Sequence, residues 1–267
     1  MGLLTAIDVC AGSGIGSAAF EALGLARTVC YVEWDGYCQR LLQQRIRDGW
    51  LADAPIWDDL KAFDGRPWAG RVDFIFGGIP CQPWSVAGKQ RGAADERDLW
   101  PDFYRVVREV GPRFVLLENV PGMLANGGLR RVLGGLALLG FDAEWGLLSA
   151  ATVGAPHVRK RLWILAKSFG IGCKTQPHEV GLRLRPGNVA GSSRYVGASC
   201  RSGFWDTTRP VGARPLGVDD GLAGGLEPIK VAGNGWVPQV AAVVAGRIAQ
   251  LAGIELGLDS EPPAGVE

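Results

Sequence analysis

Residues 72–92, VDFIFGGIPCQPWSVAGKQRG, decide how this chain folds. The run from Val72 to Phe76 is β-branched and aromatic and ends on two glycines, the pattern of a strand buried in a parallel sheet. Such sheets place their chemistry at the carboxyl ends of the strands. Gly77 and Gly78 let the backbone turn sharply there, Pro80 stiffens the approach, and Cys81 stands at the tip. An average cysteine is a small buried hydrophobe; a thiol in this position is presented to a ligand.

Upstream, residues 3–9, LLTAIDV, read as a strand that leads into the glycine turn AGSGIG and then a helix over residues 17–23. Strand, glycine turn and helix form an element that binds phosphates or nucleosides, because glycines admit a ligand to the backbone and the helix start offers free N–H groups. Residues 27–32 form a second strand that ends at Glu33, 17 positions after Gly16. A carboxylate there can accept from both hydroxyls of a ribose. A nicotinamide-dependent enzyme would show the same elements, so the turn leaves that alternative open. A helix over residues 37–47 follows, and residues 56–60, IWDDL, close a third short strand with Asp58 and Asp59, which serve equally well as turn or capping residues.

Downstream, apolar positions 99, 103, 106, 107 and 110 recur at helical spacing, with Trp100, Phe103 and Tyr104 as packing residues. Residues 113–117, RFVLL, are another buried strand and deliver Glu118 to the edge that already holds Cys81. An acid that emerges from a fully apolar strand beside a thiol is poorly explained as a solvated charge. A helix over residues 129–140 and a strand over residues 143–152 precede GAPHVRKR (154–161) and a strand over residues 162–166. Arg159 and Arg161 alternate on an extended segment and so point to one face. After Ser168 the chain becomes loop-like as far as residue 230, with eight basic against five acidic residues. Basic residues among glycines suit a module that tracks phosphates. The strongly apolar residues 240–252 form a helix too hydrophobic to stand alone, which must return to the large domain.

The totals exclude several classes. With 28 Lys and Arg against 27 Asp and Glu, net charge does not announce a nucleic-acid binder, so a basic surface must come from segregation of charge. The six cysteines lack both the CxxC spacing of a zinc site and the density of a disulfide scaffold, and only two histidines accompany them, so no metal site is expected. Free thiols fit a reducing compartment. The amino terminus lacks a basic leader and no apolar run approaches the roughly 18 residues of a membrane span, from which a soluble, cytoplasmic protein is expected.

Pro80-Cys81-Gln82 after a strand and two glycines, with Ser85 and a polar run behind it, resembles the active-site motif of the DNA cytosine-5 methyltransferases. The glycine turn, Glu33, Glu118-Asn119-Val120, the paired arginines and Gly233-Asn234 arrive in that family's order. The family usually has glutamine where this chain has His157, which reads as a hydrogen-bonding substitute. The resemblance implies an α/β architecture: a Rossmann-like S-adenosylmethionine-dependent methyltransferase fold over residues 1–168, with a small irregular target-recognition domain over residues 169–230. A helix returning to the catalytic domain spans residues 231–253, and residues 254–267 form a disordered tail. S-adenosylmethionine is the implied cofactor, held by Asp8, Ala11, Gly12, Gly14, Ile15, Glu33, Trp34, Asp58, Asp59, Pro80, Asn234 and Gly235, with Glu33 on the ribose and Asp58 on the adenine. Cys81 is the implied nucleophile, Glu118 the acid at the ring, Arg161 the partner of its oxygen at position 2, and Arg159 the orienting cation.

The implied substrate is cytosine in double-stranded DNA, extruded from the stack and covered by a mobile loop over residues 83–97. Gln82, Ser85, Lys89, Arg91 and Arg97 are its DNA-binding residues. A monomer is expected, with a companion restriction endonuclease as a further partner. The competing readings are a transfer RNA cytosine-5 methyltransferase built on the same motifs, a DNA-binding relative without turnover and, more distantly, a nicotinamide oxidoreductase.

Overall fold

The computed structural model describes residues 2–80, 98–124, 127–155, 157–169 and 235–256. They form one seven-stranded sheet flanked by helices on both faces. The strands are β1 (Leu4–Val9), β2 (Ala26–Val32), β3 (Ile56–Trp57), β4 (Phe74–Gly77), β5 (Phe114–Asn119), β6 (Phe141–Ser149) and β7 (Lys160–Ser168), in the spatial order β3-β2-β1-β4-β5-β7-β6. The first five are parallel, whereas β7 runs antiparallel to both β5 and β6. The chain moves outward from β1 in both directions, so the β1/β4 boundary is the switch point at which doubly wound sheets open a crevice.

Both faces of the central strands are covered, which is why they read as apolar runs rather than alternating ones. Phe74, Phe76, Phe114 and Leu116 pack on one face with Phe20 of helix α1 (Ile15–Ala22) and Val244 and Ile248 of α5 (Pro238–Ala252). Ile75, Val115 and Leu117 pack on the other, with Phe103 and Val106 of α3 (Trp100–Val110) and Leu133 and Leu136 of α4 (Gly128–Leu138). Helix α2 (Gly36–Arg47) is capped by Asp35, whose carboxylate accepts from the Tyr37 and Cys38 N–H groups.

The expected third strand is shorter than its apolar run suggests: pairing ends at Trp57, and Asp58 to Leu60 turn away. The expected strand over residues 143–152 begins earlier, at Phe141, and ends at Ser149 in a 3-10 turn, Ala150–Val153. The helix at residues 240–252 does return to the sheet, packing against α1. Among the described residues no helix is long and apolar enough to cross a membrane, and no cluster of metal-ligating side chains forms. Cys81, the loop over residues 83–97 and the basic segment over residues 170–230 lie outside the described residues, as do Gln82, Asn234 and the tail beyond residue 256.

Candidate active site

The carboxyl ends of β1, β2, β4 and β5 open into one cavity of about 620 Å³, within the range of roughly 300–1,000 Å³ that small-molecule sites occupy. Two strands approach each other closely just before they reach it. Val9 and Gly77 are register partners, and a Cβ on Gly77 would run into the Val9 carbonyl oxygen, so only glycine fits there. Beyond it, the Asn119 amide donates to the Ile79 carbonyl at 3.2 Å and ties the approach to Cys81 onto the end of β5. Pro80, the last described residue before the thiol, lines the cavity.

At one end stands the glycine turn. Ala11, Gly12 and Ile15 line the cavity, together with Asp8, Glu33 and the 74 % exposed Trp34. Glu33 is buried and braces the turn: its carboxylate accepts from the Gly12 N–H at 2.7 Å and the Asp35 N–H at 2.8 Å. Burial raises its carboxyl above the ordinary range, against the pull of those N–H groups. Asp8 is raised further, to about 8, chiefly by burial and against the hydrogen bond that Ser17 donates to it at 2.7 Å. Gly14 caps α1 in the left-handed conformation and does not line the cavity; a Cβ there would meet Leu51 and Leu42. Asp59 lines the cavity, whereas the neighbouring Asp58 is exposed and outside it, so Asp59 is the better placed of the two for a ligand.

Glu118 stands at the other end. It leaves β5 opposite Trp163, is only 8 % exposed, and accepts from Arg161 Nε at 2.8 Å. Burial raises its carboxyl despite the opposing fields of Arg161 and Arg159. Arg159 lines the same cavity and donates to the Gly235 carbonyl at 2.8 Å, which ties the segment before α5 to the rim. His157 is exposed and not part of the lining.

Two lining residues escape the motif reading. Cys10 adopts a left-handed backbone, φ 54°, the only positive φ outside glycine among the described residues. It follows β1 directly, and strain of this kind concentrates at ligand sites. Trp236 lies in the segment that precedes α5 and packs on Trp163, Phe76 and Phe20. Nothing in the sequence marks Cys10 as strained, and Trp236 occupies a position where the Gly-Asn motif accepts any residue.

The family described as C-5 cytosine-specific DNA methylase matches residues 4–178, which include every strand and cavity wall above except Gly235 and Trp236. The chain belongs to that family. Its curated relatives include the type II methyltransferase M.NgoMIV of Neisseria gonorrhoeae, 33 % identical over 169 residues that make up 61 % of this chain and 51 % of that protein. M.NaeI of Lentzea aerocolonigenes is 32 % identical over 171 residues, 61 % of this chain and 40 % of the relative. The match thus spans about half the length of these curated methylases or less. Among solved structures, an Entamoeba histolytica methyltransferase, EhMeth, superposes with a TM-score of 0.54 at 15 % identity, over 67 % of this chain and 57 % of that one. A Spodoptera frugiperda DNMT2 mutant gives 0.52 at 20 % identity, over 66 % and 53 %. At such identities the likeness shows the shared methylase fold.

Proposed function

We propose that this methylase transfers a methyl group from S-adenosylmethionine to carbon 5 of cytosine in DNA. The observation that carries the reading is that Glu118, Arg161 and Arg159 converge on one rim of a cavity whose other end holds Glu33 and the glycine turn, with Pro80 leading the chain into Cys81 from the same wall. Glu33, Trp34 and Asp59 suit a nucleoside: an acid for ribose hydroxyls, an exposed aromatic face for a base, and a second acid for an amino group. When bound, S-adenosylmethionine supplies an electrophilic methyl group.

Carbon 5 of cytosine is a poor nucleophile until a thiolate adds to carbon 6. In this reading the Cys81 thiolate forms that bond, which places an enamine across carbons 5 and 6. Glu118, raised by burial toward the neutral form, donates to ring nitrogen 3 as negative charge builds there. Arg161 holds Glu118 and faces the oxygen at position 2, and Arg159 adds positive field to the same rim. Carbon 5 then takes the methyl group, a base removes its proton, and the carbon–sulfur bond breaks to return the thiolate. Asp58, Gly14 and the loop residues Gln82, Ser85, Lys89, Arg91 and Arg97 belong to the same reading, as do a target-recognition role for residues 169–230 and a companion endonuclease of the kind that the name type II implies.

The test is methyl transfer from labelled S-adenosylmethionine to duplex DNA and to transfer RNA, followed by bisulfite sequencing of the DNA. Label in cytosines of DNA, lost in Cys81→Ser with DNA binding kept, is the expected result. Label in transfer RNA alone would overturn the choice of substrate, and label in neither would overturn the enzyme.

A further inference from the structure

The wall of the cavity that carries Asp59, Leu60 and Lys61 lies beyond the sheet, because β3 stops pairing at Trp57 after two residues. One side chain of α3 supplies what the ladder does not. Arg105 Nη1 donates to the Phe63 carbonyl at 2.7 Å, and Nη2 donates to the carbonyls of Leu60 at 2.8 Å and Lys61 at 3.2 Å. Glu109, one turn further along α3, accepts through Oε2 from Arg105 Nη1 at 3.1 Å and from the Gly65 N–H at 2.9 Å. A Cβ on Gly65 would come within 3.0 Å of Glu109 and Val110, so the segment lies directly on the helix.

Three carbonyls on one guanidinium do more than hold the segment down. The buried side chains of Leu60 and Phe63 already anchor it in the core, but apolar burial has no direction. A planar fork of N–H groups does. The Leu60 carbonyl and the Lys61 N–H belong to one peptide unit, which is planar and trans, so the two groups point opposite ways. Arg105 holds the oxygen of that unit, and its N–H donates to Asp59 Oδ1 at 2.8 Å. Fixing the oxygen therefore fixes the direction from which the N–H meets the carboxylate. Arg105 itself does not line the cavity, so any effect on a ligand passes through this peptide.

Resting on the reading of Asp59 as the acceptor for the amino group of a nucleoside base, we propose that Arg105, braced by Glu109, is a positioning residue for recognition of that base. From outside the cavity it aims the Asp59 carboxylate and so lets the chain tell an aminopurine from an oxopurine.

The experiment measures, by calorimetry on the full chain, the affinities for S-adenosylhomocysteine and for S-inosylhomocysteine, in which an oxo group replaces the amino group. The unmodified chain should prefer the amino form about tenfold, the scale of one hydrogen bond to a charged group. In Arg105→Met, which keeps the stem and removes the donors, that preference should fall below about threefold. A purely structural role would lower the folded fraction, weaken both ligands alike and leave the ratio where it was; an unchanged ratio would overturn the proposal. Equal binding of the two ligands by the unmodified chain would overturn it too, while leaving the methyl-donor reading standing. Failure of the unmodified chain to bind either ligand would overturn both. Should Arg105→Met fold poorly, Arg105→Lys gives the answer: an ammonium lacks the planar fork, so the preference should again drop. The full preference retained in Arg105→Lys would count against the proposal.

Discussion

Arg161 Nε lies 2.8 Å from Glu118 Oε1, and the pair stands where the antiparallel strand β7 crosses the end of β5. The guanidinium orients the acid without making it an ordinary carboxylate, because burial outweighs the ion pair. Glu118→Gln keeps the shape and removes the transferable proton. The rate of methyl transfer in a single turnover should fall about 10²- to 10³-fold, as when one preorganised donor is removed, with S-adenosylmethionine affinity within a few-fold of the starting value. A rate within tenfold would remove Glu118 from the chemistry.

Adjacent glycines at the end of β4 separate stability from function. Gly77→Ala drives a methyl group into the Val9 carbonyl, part of the backbone of a neighbouring strand that cannot move away, and the protein should lose several kcal/mol and accumulate as insoluble chain. Gly78→Ala meets only Glu118 Oε2 at 3.0 Å and the edge of Trp236. Its melting temperature should stay within a few degrees while methyl transfer falls at least tenfold, because the acid must swing away. Denaturation curves and transfer rates on the same preparations distinguish the two.

Much of this arrangement is legible in the sequence, for physical reasons that also mark where reading stops. Phe74-Ile75-Phe76 announces a strand buried on both faces, but an apolar run does not say that Phe74 and Phe76 meet α1 and α5 while Ile75 meets α3 and α4. Nor does the run from Leu162 to Ala166 show that it pairs antiparallel with β5, since a fully apolar strand looks the same in either direction. The return of α5 follows from its hydrophobicity; its partner α1 does not. At IWDDL the strand ends at Trp57, and the turn that follows brings Asp59 rather than Asp58 to the cavity, a phase difference of one residue that composition cannot resolve. Of the motif residues, Ala11, Gly12, Glu33, Glu118, Arg159 and Arg161 line the cavity, whereas Gly14 and Asp58 do not. Trp236 and Cys10 were hidden because their roles come from packing and backbone strain.

Asp8 should give stability a pH dependence of its own. Its carboxyl is raised from an ordinary 3.8 to about 8, so the folded chain holds a proton that the unfolded chain has lost. That contribution is fully present below pH 4 and is lost as pH rises through 8, about 2 kcal/mol of it between pH 6 and 8. Glu33 and Glu21, also raised by burial, act in the same direction. Asp8→Asn, which still accepts from Ser17, should flatten the decline, seen as a smaller loss of urea midpoint between pH 6 and 9. Parallel curves for the two proteins would show that Asp8 ionises normally.

Glu33 makes the last prediction, because one carboxylate both shapes the glycine turn and lines the end of the cavity proposed to take the ribose. Its two oxygens each receive a backbone N–H, from Gly12 at 2.7 Å and Asp35 at 2.8 Å. In Glu33→Gln one of those N–H groups must face an amide NH₂, donor against donor, and a buried N–H left unsatisfied costs about 1–3 kcal/mol. The cheapest relief is for the turn at Gly12 to open, since its left-handed backbone has no side chain holding it in place. Affinity for S-adenosylmethionine should therefore fall about 10- to 100-fold. Glu33→Ala, which leaves room for water beside both N–H groups, should recover part of the stability but not the affinity, because it cannot accept from ribose hydroxyls. Calorimetry on the two variants checks this; full affinity in Glu33→Gln would show that the ligand takes nothing from this carboxylate.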